Sequence, residues 1–443
     1  TKKGDKMASN KSRAFFSNSG WMMAQQIYSM LLSLVVGALS ARYLGPSNYG
    51  LINYGASIIS FFTIISRLGM DSVIINEMLK APEKQGTYLG SALVLRLLTS
   101  IASVFMVMGI IRVIEPGNIE LYIVTLLQSI AIIMQTYEVL TYWFQMELKM
   151  KFVSIATMIA LTVVAVWRVS LLAAKASVYY FAFSYSIQYF VCGAVVLFFF
   201  QRERNKNIKL KFNCLDGKCL LLNSYHFIIS GIAVTFYMQI DKIMIGKMMD
   251  HTSVGIYTAA TTVAALWEFV PTALINSAGP IIMKKRQKDY DGYIRLFEEL
   301  LLAVTILFVV VSIAMMLLGK IAVLILYGKK YLDAVYPLSI LIWSTGFAII
   351  GTARGIWIVA EGYNKYTKYM VFVGAGVNLV LNFFFIQWWG IVGAAVTTLI
   401  SQIVVSLIAP LFWKKTRGFV KIYFESFKRF PDFVDTIKRA ISR

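Results

Sequence analysis

The stretch QRERNKNIKLKFNCLDGK, residues Gln201–Lys218, is the longest polar interruption in this sequence. It contains six basic residues and only two acidic ones. A segment this polar cannot lie in hydrocarbon, and an excess of Lys and Arg is typical of a cytoplasmic membrane loop. Blocks of similar length and apolar character lie on either side of it. The stretch therefore predicts two membrane lobes joined by a cytoplasmic linker.

The composition of the chain indicates a membrane protein. Of its 443 residues, 58% are hydrophobic and 15% are charged, and the mean hydropathy is +0.68. Soluble domains are closer to half apolar and about a quarter charged. Because lipid offers no partner to a backbone amide, long apolar segments cross it as helices or as closed barrels, and segments of this length are typical of helices. We therefore expect an all-α polytopic membrane protein.

Twelve apolar segments are about as long as a bilayer requires, which is roughly 20 residues or more. They lie near 21–43, 51–68, 88–113, 121–144, 152–172, 179–200, 220–246, 254–282, 294–318, 335–360, 366–386 and 391–413. A weak internal repeat aligns Tyr49-Gly50 with Val254-Gly255. Parallel repeats of this kind are typical of transporters with the substrate site between the lobes. We predict pseudo-symmetric six-helix lobes at 1–200 and 219–413, the linker at 201–218 and a cytoplasmic tail at 414–443.

The distribution of basic residues supports this topology. Of the 43 Lys and Arg residues, 31 lie in loops assigned to the cytoplasmic side, 7 in loops on the opposite side and 5 within spans. Such an asymmetry follows the positive-inside rule and places both termini in the cytoplasm. It also accounts for the formal charge of +21 without a nucleic-acid partner.

The tail has the pattern of a basic amphipathic helix that is broken at Pro431. Its apolar stripe consists of Val420, Tyr423, Phe424, Phe427, Val434 and Ile437, and its basic residues are Lys421, Lys428, Arg429, Lys438 and Arg439. A helix of this type lies in the membrane interface. We favour a membrane-surface anchor over a partner-binding motif.

Motifs in three places resemble a known family. They are the segment Glu361–Ile400, which contains Gly390-Ile391-Val392-Gly393-Ala394-Ala395, the segment Gln239–Gly246, and the turn Ala41–Pro46. They resemble the polysaccharide-transport flippases, of the lipid-linked oligosaccharide or O-antigen type, in the multidrug/oligosaccharidyl-lipid/polysaccharide exporter superfamily. The resemblance implies alternating access in the bacterial inner membrane. It also implies export of an undecaprenyl-pyrophosphate-linked sugar to the outer leaflet, with polysaccharide-assembly enzymes as possible partners.

Ionisable residues within spans are costly and are therefore functional candidates. A pyrophosphate suits guanidinium groups, which bind phosphate oxygens in pairs, so we predict Arg67, Arg96 and Arg354 as its ligands. Two alternatives stay open. Arg96 and Glu138 could form a structural ion pair, and Arg67 could extend to the interface.

Other polar residues in the spans suggest further roles. Glu138, Asp241 and Glu268 are candidates for binding a coupling ion, H⁺ or Na⁺. Asn378 and Asn382 share one helix face and would contact sugar hydroxyls or, alternatively, hydrogen-bond between helices. Pro271 is the predicted hinge of span eight, because a proline within a span bends the helix.

The remaining features argue against other functions. The three cysteines, Cys192, Cys214 and Cys219, suggest neither a disulfide framework nor a metal site, and we expect no cofactor. A membrane-bound polysaccharide polymerase or ligase would need a sizeable outer loop, and the outer loops here are short. A cation-coupled multidrug exporter of the same superfamily is the second alternative, but arginines within the spans fit an anionic ligand better.

Overall fold

The computed structural model describes residues 2–204 and 208–431, with side chains from residue 18 onward, and all regular secondary structure in these ranges is helical. Several predicted features lie outside the described residues. These are Lys206 of the linker and Val434, Ile437, Lys438 and Arg439 of the tail. The all-α membrane fold is confirmed for the described part of the chain.

The α-helices follow one another along the chain with short connections. They are α1 (Lys2–Arg67), α2 (Asp71–Lys80), α3 (Gln85–Ile114), α4 (Ile119–Met134), α5 (Glu138–Met146), α6 (Met150–Ala173), α7 (Val178–Glu203), α8 (Cys214–Met248), α9 (His251–Ala265), α10 (Phe269–Arg286), α11 (Tyr290–Leu326), α12 (Val335–Ala360), α13 (Lys365–Ile403) and α14 (Arg417–Ser426). Short 3₁₀ turns and one π-helix, Val404–Ile408, lie between some of them.

Ten helical segments of the described chain are long and apolar enough to cross a membrane. Two of them, of 63 and 48 residues, are each divided by one glycine, at Gly45 (φ 72°, ψ 170°) and Gly390 (φ 58°, ψ −135°). Residues with a side chain rarely adopt these backbone conformations, whereas glycine does so readily. The non-helical backbone at each glycine changes the direction of the helix. The predicted count of twelve spans requires that the chain crosses twice in both segments.

The chain folds into two compact units, which we call unit 1 (Thr1–Thr235) and unit 2 (Phe236–Arg443). The division lies within α8, C-terminal to the predicted linker. The first half of α8 belongs to unit 1 because Leu220 is buried in its core. Close packing also brings Gly231 against Ile64, where an added Cβ would lie 2.8 Å from the Ile64 side chain.

The described part of the linker is fixed to the start of α3. A Cβ on Gly86 would lie 2.2 Å from the carbonyl oxygen of Lys209, and one on Gly90 would lie 2.4 Å from that of Lys211. The Ser91 hydroxyl donates to the Asn213 carbonyl at 3.0 Å and accepts from the Asn213 amide at 2.9 Å. The glycines therefore let an extended backbone segment lie directly on the helix.

Helix α14 packs on unit 2. Its residues Phe419, Val420 and Tyr423 are buried in the core of that unit, and Arg429 pairs with the buried Glu298 of α11. The break in the tail precedes the predicted position, because α-helical hydrogen bonding ends at Ser426 and a 3₁₀ turn follows at Phe427–Arg429. A proline ring at 431 crowds the carbonyl four residues earlier, which places the disruption at 427.

In span eight the helix is also disrupted a few residues before a proline. A 3₁₀ turn at Leu266–Glu268 separates α9 from α10, just before Pro271. A second break in a span, the 3₁₀ turn Gln135–Tyr137 between α4 and α5, has no proline near it and was not predicted.

Candidate functional site

The main charged cluster of unit 1 is centred on Glu138, the first residue of α5. Its Oε1 accepts from Nη2 of Arg67 at 3.0 Å, and its Oε2 accepts from Nη2 of Arg96 at 2.5 Å. The three residues come from the end of α1, the middle of α3 and the helix that follows the 3₁₀ turn. The structure therefore brings two of the three predicted phosphate ligands together on one carboxylate.

A second acidic residue extends this cluster. Nη1 of Arg96 donates to the Tyr142 hydroxyl at 3.4 Å, and that hydroxyl donates to Asp71. The formal charges of the two arginines and the two acids cancel, which lowers the cost of keeping them in a partly buried site. Neither Tyr142 nor Asp71 was predicted. Tyr142 lies four residues after Glu138 and so shares its helix face, which is the only signal in the sequence.

The two arginines differ in their surroundings. Arg96 is 2% exposed, whereas the Arg67 side chain is 34% exposed. The structure contains the ion pair between Arg96 and Glu138 that was one of the two alternatives. Arg67 turns towards Glu138, and among the described residues its Nε has no hydrogen-bond partner. Arg67 is thus the arginine that a ligand can reach.

Arg67 also lines a cleft of about 180 Å³ within unit 1, which we call the unit 1 cleft. Its walls come from α1, α4, the 3₁₀ turn and α7. The polar residues that line it with Arg67 are Ser60, Thr63, Gln128, Gln135, Tyr185 and Tyr189. None of these six was a predicted site residue, because uncharged polar side chains are common in membrane helices as interhelical contacts.

Arg354 has different partners. It lies in α12 of unit 2, where its Nη1 donates to the Val405 carbonyl and, at 3.0 Å, to the Ser406 carbonyl. Both carbonyls belong to the π-helix, whose wider turns disturb the regular hydrogen bonds of a helix. The guanidinium also lies 5.9 Å from the ring centre of Phe419 in α14. Arg354 therefore joins three elements of unit 2, and its role as a phosphate ligand stays a prediction.

A deeply buried polar cluster of unit 2 surrounds Asp241 of α8. Its Oδ1 accepts from Nδ2 of Asn382 at 2.6 Å, and its Oδ2 accepts from the hydroxyls of Thr398 at 2.6 Å and Tyr257 at 3.0 Å. Asn382 also donates to Asn378 at 3.0 Å. In this structure both asparagines thus face the interior between α8 and α13. This is the arrangement expected if they hydrogen-bond between helices, which was the alternative to sugar binding.

The Asp241 cluster has the composition of a site for a hard cation. Carboxylate, amide and hydroxyl oxygens are the ligands that such ions prefer. In the described part of the chain, Oδ1 of the fully buried Asn382 has no hydrogen-bond partner. A carboxylate buried in a membrane helix is costly, which makes Asp241 a functional candidate.

Glu268 ends the 3₁₀ turn before α10 and is partly buried. Within residues 2–204 and 208–431 its carboxylate has neither an ion pair nor a hydrogen bond. The neighbouring Trp267 donates from Nε1 to the Thr345 hydroxyl at 2.9 Å, which attaches the turn to α12. Pro271 follows one turn later, so an acidic residue and the predicted hinge lie side by side.

The long apolar helices define a multi-pass helical membrane protein. Residues 39–336 match the family described as polysaccharide biosynthesis protein, and the chain belongs to this family. The resemblance to the flippases of the exporter superfamily is thereby confirmed. The family match and the flippases among the relatives favour a transporter over the polymerase or ligase alternative.

Two curated relatives illustrate the range of similarity. The chain is 25% identical over 176 residues to the probable flippase AglR of Haloferax volcanii, which is 39% of this chain and 37% of AglR. It is 21% identical over 412 residues to the capsular polysaccharide biosynthesis protein CapF of Staphylococcus aureus, which is 90% of this chain and 99% of CapF. The match to AglR thus spans well under half of either protein.

Solved structures with the same fold include the lipid II flippase MurJ in an inward closed conformation. It aligns with a TM-score of 0.71 at 16% identity, over 95% of this chain and 99% of MurJ. An inward-facing multidrug resistance MATE transporter of the MOP superfamily aligns with a TM-score of 0.63 at 13% identity, over 89% of this chain and 96% of that chain. At these identities the likeness concerns the fold.

Proposed function

We propose that this protein moves an undecaprenyl-pyrophosphate-linked oligosaccharide from the inner to the outer leaflet of the bacterial inner membrane by alternating access. The observation that carries the proposal is the reachable Arg67 guanidinium beside the polar unit 1 cleft. Flippases among the relatives support a lipid-linked glycan as substrate. In this orientation the 201–218 loop and both termini lie in the cytoplasm.

The ion pair with Glu138 gives a route for loading the diphosphate. Arg67 holds Glu138 through one nitrogen and keeps its Nε unpaired among the described residues. A diphosphate oxygen can take the place of Glu138 on Arg67 and form the paired contacts that guanidinium groups prefer. Glu138 then remains on Arg96, so the buried arginine keeps a partner throughout.

The membrane potential is a sufficient energy source for this movement. Each elementary charge that crosses ~100 mV contributes about 2.3 kcal/mol. A diphosphate headgroup with about two negative charges that leaves an inside-negative cell therefore gains about 4 to 5 kcal/mol. Return of the empty carrier is assisted by H⁺ or Na⁺ bound at Asp241, with Glu138 or Glu268 as further candidate sites, by the linkage that couples two ligands.

The proposal is tested in liposomes that contain the purified protein and a lipid-linked oligosaccharide. We expect outward flipping to slow when valinomycin and matched potassium collapse the potential. Arg67→Ala should reduce the rate by at least tenfold, whereas Arg112→Ala, at an exposed arginine in a predicted outer loop, should not. Equal rates for both variants would reject the role of Arg67 on which the proposal depends. Transport of an organic cation in place of the lipid-linked sugar would reject the proposal in favour of a multidrug exporter.

A further inference from the structure

We infer that the unit 1 cleft is a subsite for one pyranose ring, namely the sugar bonded directly to the diphosphate. The inference rests on the proposed function and goes beyond it by assigning sugar recognition to Gln135, Tyr185 and Tyr189. These residues differ from the asparagines of α13 that the sequence suggested.

The size of the cleft limits its ligand. Its volume is about 180 Å³, whereas sites that enclose a drug-sized ligand have roughly 300–1,000 Å³. It can therefore hold a single ring, and further sugars of an oligosaccharide would lie outside it. Because Arg67 lines the same cleft, a diphosphate on Arg67 would place its first sugar there.

Two buried amide side chains line the cleft with unused hydrogen-bonding capacity. Gln128 is 2% exposed and Gln135 is 5% exposed. Gln128 donates from Nε2 to the Ile52 carbonyl at 3.2 Å, but among the described residues the Oε1 of each glutamine has no partner. A buried polar atom without a partner is unfavourable, and a sugar hydroxyl is a donor that would satisfy it.

Two tyrosines supply the aromatic wall of the cleft. Tyr185 and Tyr189 are four residues apart on α7 and so lie on the same helix face. Their rings combine an apolar face with a polar hydroxyl, which matches the apolar faces and hydroxyl edge of a pyranose. The Arg168 guanidinium lies 5.4 Å from the ring centre of Tyr185, which holds this ring in place.

Other ligands fit these features less well. An organic cation would be repelled by Arg67, and an alkyl chain would leave both amide oxygens unpaired. A free phosphate would use Arg67 but would not need the tyrosines. A guanidinium group, amides and aromatic rings together are the groups that would bind a glycosyl phosphate.

The experiment measures the affinity of the purified full chain for undecaprenyl pyrophosphate and for the same lipid with one sugar, taken from a panel of hexoses and N-acetylhexosamines. We expect at least one glycosylated lipid to bind about tenfold more tightly than the bare lipid. Gln135→Leu and, separately, Tyr185→Ala should abolish this preference. The matched control Tyr180→Ala, at an exposed tyrosine on the same helix, should keep it.

The outcomes separate the subsite from the proposed function. Failure of the wild-type protein to bind any of these lipids would overturn both. Binding of the bare and all glycosylated lipids with equal affinity, or a preference that survives both substitutions, would overturn the subsite alone. Arg67→Ala should weaken binding of the bare and the glycosylated lipids by the same factor. Thermal unfolding of each variant identifies any loss of the binding preference that is due to misfolding. If Gln135→Leu or Tyr185→Ala misfolds, the other variant decides whether the subsite exists.

Discussion

Arg96 donates from Nη2 to Oε2 of Glu138 at 2.5 Å, while only 2% of Arg96 is exposed. The buried guanidinium depends on this carboxylate, because the Tyr142 hydroxyl is its only other partner among the hydrogen bonds described above. Removing one member of a buried ion pair leaves an uncompensated charge and typically costs about 3–5 kcal/mol.

We therefore expect Glu138→Gln to lower the free energy of unfolding by about 3–5 kcal/mol, measured by thermal unfolding in detergent. Arg67→Ala should have a much smaller effect, because its side chain is one-third exposed and Glu138 retains Arg96. The matched control is Glu120→Gln, at an exposed position in the first turn of α4. A Glu138→Gln protein as stable as the control would show that the pair is not structural.

Asp241 is predicted to bind the coupling cation. An ion that binds only the folded state raises its stability by about 2.7 kcal/mol at 100 times the dissociation constant. We expect Na⁺ in place of choline to stabilise the wild-type protein, or low pH to do so if the ion is H⁺. Asp241→Asn should remove that response.

Asp291→Asn, at an exposed position in the first turn of α11, is the control for the Asp241 experiment and should respond as the wild type does. Persistence of the full ion response in Asp241→Asn would place the coupling site elsewhere, with Glu268 as the next candidate.

Gly45 is required by its backbone conformation and not by crowding. Its φ is 72° and ψ is 170°, and no atom lies within 4 Å of an added Cβ. Residues other than glycine lose about 1–3 kcal/mol in such a region. Gly45→Ala should therefore destabilise the protein by about that amount in thermal unfolding.

Gly109→Ala is the opposite case, because Gly109 also has free space around it but lies within the regular helix α3. Alanine is favoured over glycine there by up to about 1 kcal/mol. If the two variants had the same stability, the kink at Gly45 would not be the reason for its glycine.

The native cysteines report the orientation of the linker. Cys214 and Cys219 are exposed, whereas Cys192 is buried. If residues 201–218 are cytoplasmic, a membrane-impermeant maleimide should label the protein only after the cells are permeabilised. The double variant Cys214→Ser/Cys219→Ser should then lose the label. Lys330→Cys in that background, in a predicted outer loop, should be labelled in intact cells, and labelling of Cys214 or Cys219 there would invert the topology.

Pro271 is predicted to keep the 3₁₀ turn Leu266–Glu268 as a hinge. Pro271→Ala allows regular α-helical bonding through this turn, so we expect slower flipping in liposomes with unchanged lipid binding. Pro280→Ala, at a proline inside the continuous helix α10, is the control. An unchanged flipping rate for Pro271→Ala would mean that the turn does not move during transport.

Local features of the sequence determined the class of the protein and several of its breaks. Apolar runs depend only on the transfer of side chains from water to lipid, and the asymmetry of Lys and Arg depends only on topology. Both can therefore be recognised without a structure. The turn at Gly45-Pro46 and the disruption near Pro271 follow from the chemistry of single residues. The 3₁₀ turn at Gln135–Tyr137 has no proline or glycine in or beside it, so no single residue announces it in the sequence.

Only the tertiary structure decided which polar groups meet. Glu138 pairs with Arg67 and Arg96 from helices 71 and 42 residues away, and Asp241 bonds to Asn382 and Thr398 at separations of 141 and 157. In the sequence, a polar residue that bonds to another helix looks the same as a polar residue that faces a cavity. Their partners depend on helix rotation and contact distance, and these are set by packing of small and large side chains over the whole unit.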